Sequence, residues 1–79
     1  MPRFHFHIQE NGRLIPDDEG HEFVDADAVR KEAVITGASI ARDAFIDGSA
    51  HRVVVDVRED DAPFLKVSIT LDVEEPTSD

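Results

Sequence analysis

Apolar and polar residues alternate near the start of the chain, and this alternation predicts a β-hairpin. The apolar positions of the first run are Phe4, Phe6 and Ile8. A period of two is the pattern of a strand with one buried face. Asn11-Gly12 follows the run, and Asn-Gly is a strong signal for a two-residue type I′ turn. Residues 4–15 are therefore predicted to form a hairpin, and Pro16 is predicted to end its second strand at a sheet edge.

A second alternating region near the end of the chain predicts another hairpin. Residues 51–58 alternate around three valines, and residues 64–73 show the most regular alternation in the sequence. Each of these strands is expected to have one apolar face. The polar segment Glu59–Pro63 is predicted to be the loop between them.

Residues 26–46 between the hairpins are predicted to form a single helix. Small and apolar side chains recur along one broad face of this segment, as in a helix packed on one side. Asp25 is the predicted N-cap, Val24 the residue that packs against the first turns, and Asp47-Gly48 the stop signal. Gly37 lies in the middle of the apolar face. Because glycine weakens a helix by ~1 kcal/mol relative to alanine, it predicts a close approach between helix and sheet.

The predicted element order is β-β-α-β-β, an α+β fold in which one helix packs on one face of a four-stranded antiparallel sheet. The favoured strand order is 2-1-3-4, with a right-handed connection through the helix, and the alternative is 1-2-3-4. Residues 1–73 are predicted to form one domain, and residues 74–79 a disordered acidic tail.

Charge and composition narrow the classes of partner. The chain has 79 residues, a formal charge of −10 and no cysteine. Strong negative charge disfavours nucleic acids and anionic membranes, and the absence of cysteine excludes disulfides and thiolate metal sites. No apolar run approaches the ~20 residues that cross a bilayer, and the first residues lack the apolar stretch of a secretion signal. The expectation is a cytoplasmic protein that binds neither nucleic acid nor membrane.

Short motifs spread over most of the chain resemble a known family. They are Met1–His7, Asn11-Gly12, Asp18–Phe23, Asp25–Ala33 and the valine-rich final hairpin. Together they resemble the short alphaproteobacterial proteins grouped as a domain of unknown function, over residues 1–73. The last hairpin loop lacks the glycine that such proteins often carry, so the resemblance does not define that turn. It implies no activity and no catalytic residue.

His5 and His7 are the first candidate for chemistry. They lie two residues apart on a predicted strand, so both side chains point away from the apolar face. Two imidazoles at this spacing are candidate metal ligands, but a site needs a third or fourth ligand, for which Asp56, His21 and His51 are the candidates. The ordinary interpretation is a solvated face, and a third is a pH-sensitive or partner-contacting role.

Other motifs give little support for a metal site or for catalysis. The acidic run from Asp17 to Asp27 does not have the spacing of a calcium-binding EF-hand loop. Ser49-Ala50-His51 provides a serine near a histidine but no third group to orient the base. The glycines are isolated, so no phosphate-binding loop is present. The chain is therefore predicted to be non-enzymatic and to need no cofactor.

Three surfaces are predicted to bind partners. The first is the sheet face opposite the helix, which carries His5, His7, Leu14, Arg52, Val54, Asp56, Arg58, Lys66, Ser68 and Thr70. The second is a minor apolar stripe on the outer side of the helix, formed by Ala28, Ile35 and Ile46. The third is the edge of the last strand, which has unpaired backbone groups.

These surfaces lead to three hypotheses for function. The first is a protein-interaction or self-associating module, with a homodimer as the expected form. The second is an antitoxin-like regulator that neutralises a basic protein, because the acidity and the β-β-α start are typical of such partners. The third is a metal binder that depends on His5 and His7.

Overall fold

The computed structural model describes residues 2–76 and has one helix and five strands. The strands are β1 (Arg3–Glu10), β2 (Arg13–Ile15), β3 (His21–Glu22), β4 (Arg52–Glu59) and β5 (Ala62–Thr70), and the helix is α1 (Ala26–Asp47). The predicted α+β fold is confirmed, with β3 as an additional short strand.

All strand pairs of the sheet are antiparallel, and its order is β2-β1-β4-β5. This is the favoured order predicted from the sequence. Strand β3 pairs with the start of β1, at Arg3 and Phe4, whereas β2 pairs with its end, from Ile8 to Glu10. The side of β1 that faces away from β4 is therefore paired at both ends.

The first hairpin has the predicted turn and register. Ile8 pairs with Ile15, and Glu10 pairs with Arg13. Asn11 and Gly12 both have positive φ, 51° and 78°, as a type I′ turn requires. Apolar and oppositely charged side chains thus face each other across the two strands.

The second hairpin has a shorter turn than the predicted loop Glu59–Pro63. The turn is at Asp60 and Asp61, and β5 begins at Ala62 and ends at Thr70 instead of running from 64 to 73. Asp60 adopts φ 56°, the left-handed conformation that aspartate tolerates better than most residues. The N–H of Asp60 donates to Arg3 O at 3.0 Å.

A β-bulge lies next to this turn. The register shifts between Val57, which pairs with Leu65, and Arg58, which pairs with Pro63. Phe64 is thus left without a partner on β4. Its ring meets that of Phe4 edge to face, with 5.0 Å between ring centroids. The bulge therefore lets β5 place the exposed ring of Phe64 against the buried ring of Phe4, a contact that strict alternation did not predict.

The helix begins at the predicted residue, Ala26, and ends at Asp47, one residue after the predicted end. Asp25 is the N-cap, and its Oδ1 accepts a hydrogen bond from Ala28 N–H at 2.8 Å. Gly48 adopts φ 80°, and its N–H bonds to Ala44 O. The prediction that Val24 packs against the first turns of the helix is wrong, because Val24 is 79% exposed. The preceding residue, Phe23, packs against the core instead.

The core lies between α1 and the sheet. Val53, Val55 and Val57 of β4 have no exposed surface. A methyl group at Gly37 would lie 3.0 Å from Ile69 Cδ1 and 3.1 Å from Val55 Cγ2. These distances are tighter than most Cβ contacts, so the predicted close approach of helix and sheet is confirmed.

The end of the chain follows β5 without regular secondary structure up to residue 76. The predicted disordered tail 74–79 stays a prediction, and residues 77–79 lie outside the described part of the structure. Within residues 2–76, the helix is not apolar enough along its length to cross a membrane.

Candidate functional site: the uncovered face of the sheet

The sheet face opposite α1 brings together most of the predicted binding residues. The strand register places His7 beside Asp56, and Asp56 beside Lys66. His5 lies beside Arg58 in the next row. Since paired residues of antiparallel strands point to the same side, these five side chains share the face. No helix or strand among the described residues covers it.

Positive charge is concentrated on this face. Arg52, Arg58 and Lys66 lie on it together with Asp56, and the ion pair of Arg3 and Glu22 lies at its β3 end, although the whole chain has a formal charge of −10. Arg58 Nε lies 3.4 Å from Asp56 Oδ2. Because both side chains are partly solvated, this ion pair contributes little to stability. Arg52 and Lys66 are exposed, so their charges are directed to solvent.

A loop of the chain closes the middle of the β1 edge. We call residues 16–20 the clasp. Asp17 Oδ2 accepts a hydrogen bond from the Phe6 backbone N–H at 3.1 Å, which lies between the stretches of β1 paired with β3 and β2. The other oxygen, Oδ1, accepts from Glu19 N–H at 3.3 Å and Gly20 N–H at 3.1 Å. One carboxylate therefore satisfies backbone donors from both β1 and the clasp.

His5 and His7 hold the backbone of the same aspartate. His5 Nδ1 donates to Asp17 O at 2.9 Å, and His7 Nδ1 accepts from Asp17 N–H at 3.1 Å. These partners assign the proton to Nδ1 in His5 and to Nε2 in a neutral His7, because a carbonyl only accepts and a backbone N–H only donates. The rings stack with centroids 6.2 Å apart and planes 9° from parallel.

The surroundings of Asp17 lower the pKa of its carboxyl group. Burial alone raises that pKa, but the backbone N–H groups of Phe6, Gly20 and Glu19 act together in the opposite direction, and the nearby His21 adds to them. Hydrogen bonds donated to a carboxylate favour its charged form. The acidic turn thus contains an aspartate that has a structural role in the folded chain.

The geometry gives no support to a metal site at the histidines. Among residues 2–76, no three His, Asp or Glu side chains are arranged to hold one metal ion. The Nδ1 atoms of His5 and His7 already bond to Asp17. The two histidines are placed on the predicted face, and their Nδ1 atoms bond to the clasp.

Two hollows border the uncovered face. One, of about 270 Å³, includes Arg52 and His51, and the other, of about 320 Å³, includes Arg58 and Phe64. Small-molecule sites usually measure ~300–1,000 Å³ and enclose most of the ligand. The first hollow is below that range and the second is at its lower end, so the face is better suited to a broad partner.

The other two predicted surfaces are also exposed. Ile35 and Ile46 are 52% and 80% exposed, and they lie three turns apart on the side of α1 that faces away from the sheet. Strand β5 is the outermost strand next to β4. The residues of the three predicted surfaces lie on the predicted sides, although Val54 is buried, and the role of these surfaces in binding stays a prediction.

Residues 3–70 match the family model of a domain of unknown function, DUF6894. The chain belongs to the DUF6894 family. No curated protein and no solved structure matches it. The family's description gives no activity, so any function of this DUF6894 domain has to be argued from its own geometry.

The clasp of this DUF6894 domain was not predicted from the sequence, although Gly20 and the histidines on both sides of Phe6 were visible there. In the structure, Gly20 has φ 73°, and a Cβ there would lie 2.9 Å from Phe4 O, so only glycine lets the clasp approach β1. His5 and His7 flank Phe6, whose N–H the clasp covers. Histidines around one apolar residue, followed by an Asp-x-x-Gly turn, are the local pattern of this contact.

Proposed function

We propose that this domain is a non-enzymatic protein-interaction module whose uncovered sheet face receives an acidic partner. The observation that supports the proposal is the concentration of Arg52, Arg58 and Lys66 on an uncovered face of a chain whose formal charge is −10. Complementary potentials steer association and select partners. The net negative charge of the chain opposes a partner that is anionic along its whole length, so a folded protein whose acidic residues are confined to one surface is favoured over nucleic acid as the ligand.

The broad shape of the face also favours a protein partner. Stable protein interfaces take ~800 Å² from each partner, and a four-stranded face with charged, polar and apolar side chains provides a surface of this kind. Leu14 is 57% exposed at its margin, whereas Val54 within it is 8% exposed. Leu14 supplies apolar contact area, and the cations of the face supply orientation.

Charge-reversal variants used as bait test the proposal. Arg52→Glu combined with Arg58→Glu removes the positive charge of the face, and Arg42→Glu is the matched control on the helix, where Arg42 is exposed. We expect at least one acidic protein to be captured from lysate by the wild type and by Arg42→Glu but not by the double variant. The purified pair should then bind by calorimetry, with an affinity that falls as salt increases.

The opposite result would contradict the proposal. If every captured protein binds the double variant as strongly as the wild type, the uncovered face is not the binding surface. A binding partner whose affinity does not depend on salt would equally contradict recognition by charge.

A second candidate is an antitoxin-like regulator of a basic protein. It is favoured by the acidic residues outside the uncovered face, such as Asp27 and Asp43 on exposed positions of the helix. In the same capture experiment, a basic partner would be retained by Arg52→Glu/Arg58→Glu and lost by Asp27→Lys/Asp43→Lys. The two candidates therefore predict opposite patterns for the two double variants.

A further inference from the structure

Strand β5 has backbone groups that no other part of the described chain pairs. Leu71 N–H donates to His51 O at 2.9 Å, so residues 71 and 51 continue the β4–β5 ladder. In an antiparallel ladder, only every second pair exchanges hydrogen bonds. Ile69 and Val67 therefore bond toward β4, whereas Lys66, Ser68 and Thr70 direct their N–H and C=O groups outward.

The apolar side chains of β5 are less well covered than those of β4. Leu65, Val67 and Ile69 pack against the core but are only partly buried, whereas their partners on β4 are fully buried. A strand added beside β5 would cover this row and satisfy the outward backbone groups at the same time. The edge is thus incomplete in both its apolar surface and its hydrogen bonds.

The two edges of the sheet differ. On the β1 side, β2, the Asp17 carboxylate and β3 follow one another along the strand. On the β5 side, the described residues provide no such cover. Natural edge strands are usually protected by charge or proline, and β5 has only Pro63 near its start and one charged side chain, Lys66.

We infer that β5 pairs antiparallel with β5 of a second copy, in a two-fold register centred on Val67. This register pairs Phe64–Thr70 of one copy with the same segment of the other. The residues whose N–H and C=O groups point outward then lie opposite each other and can exchange hydrogen bonds. Leu65 lies opposite Ile69 of the partner subunit, and Lys66 lies opposite Ser68 of the partner subunit. The sheets of the two copies become one continuous sheet with both helices on the same side.

Competing registers are less favourable. A register centred on Lys66 places two ammonium groups opposite each other, and like charges at that position destabilise a strand pair. A register centred on Ser68 joins only residues 66–70 within the strand, so Leu65 loses its partner on β5. The Val67 register avoids charge repulsion and covers the whole apolar row.

Substitutions at Ser68 test both the interface and its register. Sedimentation equilibrium of the full chain at low salt gives the dimer dissociation constant. Ser68→Glu places two Glu–Lys66 pairs across the two-fold axis and should tighten the dimer by roughly 2- to 30-fold, whereas Ser68→Lys should weaken it by a similar factor. Ser68 is exposed, so both variants are expected to fold.

The changes in dissociation constant expected for the Ser68 variants are opposite to those that net charge alone would cause. Glutamate makes an already acidic chain more self-repulsive and lysine makes it less so. Ser39→Glu and Ser39→Lys, on an exposed position of the helix, measure that general effect alone. Ile35→Ser combined with Ile46→Ser tests the helix stripe as an alternative interface and should leave the dissociation constant unchanged.

Several results would overturn this inference. A register centred on Ser68 predicts that both Ser68 variants weaken the dimer, and changes equal to those at Ser39 would show that Ser68 is outside the interface. Loss of the dimer in the Ile35/Ile46 variant would assign association to the helix. A chain that stays monomeric at millimolar concentration also ends the inference, while capture of an acidic partner by the uncovered face can still succeed independently.

Discussion

Asp17 and Phe6 are joined by a hydrogen bond that takes the place of strand pairing. The Asp17 carboxylate accepts the Phe6 backbone N–H at 3.1 Å, at the point of β1 between the stretches paired with β3 and β2. A side chain thus does for one residue what a neighbouring backbone does elsewhere in the sheet. The bond depends on the carboxylate, on the clasp that carries it, and on the glycine that ends the clasp.

Removal of the carboxylate should destabilise the fold. Asp17→Asn keeps one acceptor oxygen but places an amide donor against the N–H of Phe6 or of Gly20, which leaves a donor unsatisfied. We expect a loss of ~1–3 kcal/mol in the free energy of unfolding, measured by urea denaturation. Asp18→Asn is the adjacent control, because Asp18 is exposed and should change stability by less than ~0.5 kcal/mol.

Acid should remove the contribution of Asp17. Its pKa in the folded chain is lowered from 3.8 by the hydrogen bonds to its carboxylate, so the unfolded chain takes up the proton first. The resulting stability is present above the unfolded pKa and is lost as the pH falls through the folded pKa. The difference in unfolding free energy between wild type and Asp17→Asn should be constant above about pH 5 and shrink below about pH 4. A difference that stays constant down to pH 2 would show that the charge is not involved.

The two glycines with positive φ on the N-terminal half should respond differently to alanine. Gly12 and Gly20 have φ 78° and 73°, but a Cβ at Gly12 meets no atom within 4 Å, whereas one at Gly20 lies 2.8 Å from Arg3 Cγ and 2.9 Å from Phe4 O. Gly12→Ala should cost ~1–2 kcal/mol for the backbone conformation alone. Gly20→Ala should cost ~1–3 kcal/mol more because the clasp has to move away from β1. Equal losses in urea denaturation would contradict the close contact.

The neighbours Phe23 and Val24 should also differ strongly. The Phe23 ring lies 6.0 Å from that of Phe4 and 5.7 Å from that of Phe6, whereas Val24 is 79% exposed. Phe23→Ala should reduce the unfolding free energy by ~2–4 kcal/mol, and Val24→Ala by less than ~0.5 kcal/mol. Thermal unfolding followed by circular dichroism compares the two. If Val24→Ala is the more damaging change, the described entry into the helix is wrong.

Most of the fold could be predicted because its signals are local. The alternation around Phe6 and along β5, the Asn11-Gly12 turn and the Asp25 cap each involve only a few neighbouring residues. Strand order followed from where Pro16 could be tolerated and from the hand of the connection. These features place the uncovered face, so the positions of Arg52, Asp56 and Lys66 on it were also predictable.

The features that escaped prediction depend on contacts between distant parts of the chain. Strand β3 has only two residues, His21 and Glu22, which is too short for any periodicity. The roles of His5 and His7 depend on the return of the clasp, so their spacing alone left a solvated face, a metal site and a partner contact as alternatives. The bulge at Phe64 is visible only when β5 is aligned with β4.

Unequal edges have a consequence for how far assembly can proceed. If both sides of the sheet accepted a strand, each added copy would offer a new attachment point, and a valine-rich protein of this kind could grow without limit. Asp17, β2 and β3 occupy the β1 edge of the sheet. When two copies pair through their β5 edges, neither molecule therefore has an unpaired edge left for a further strand. In that dimer, the aspartate that completes β1 also closes the remaining edge to a third copy.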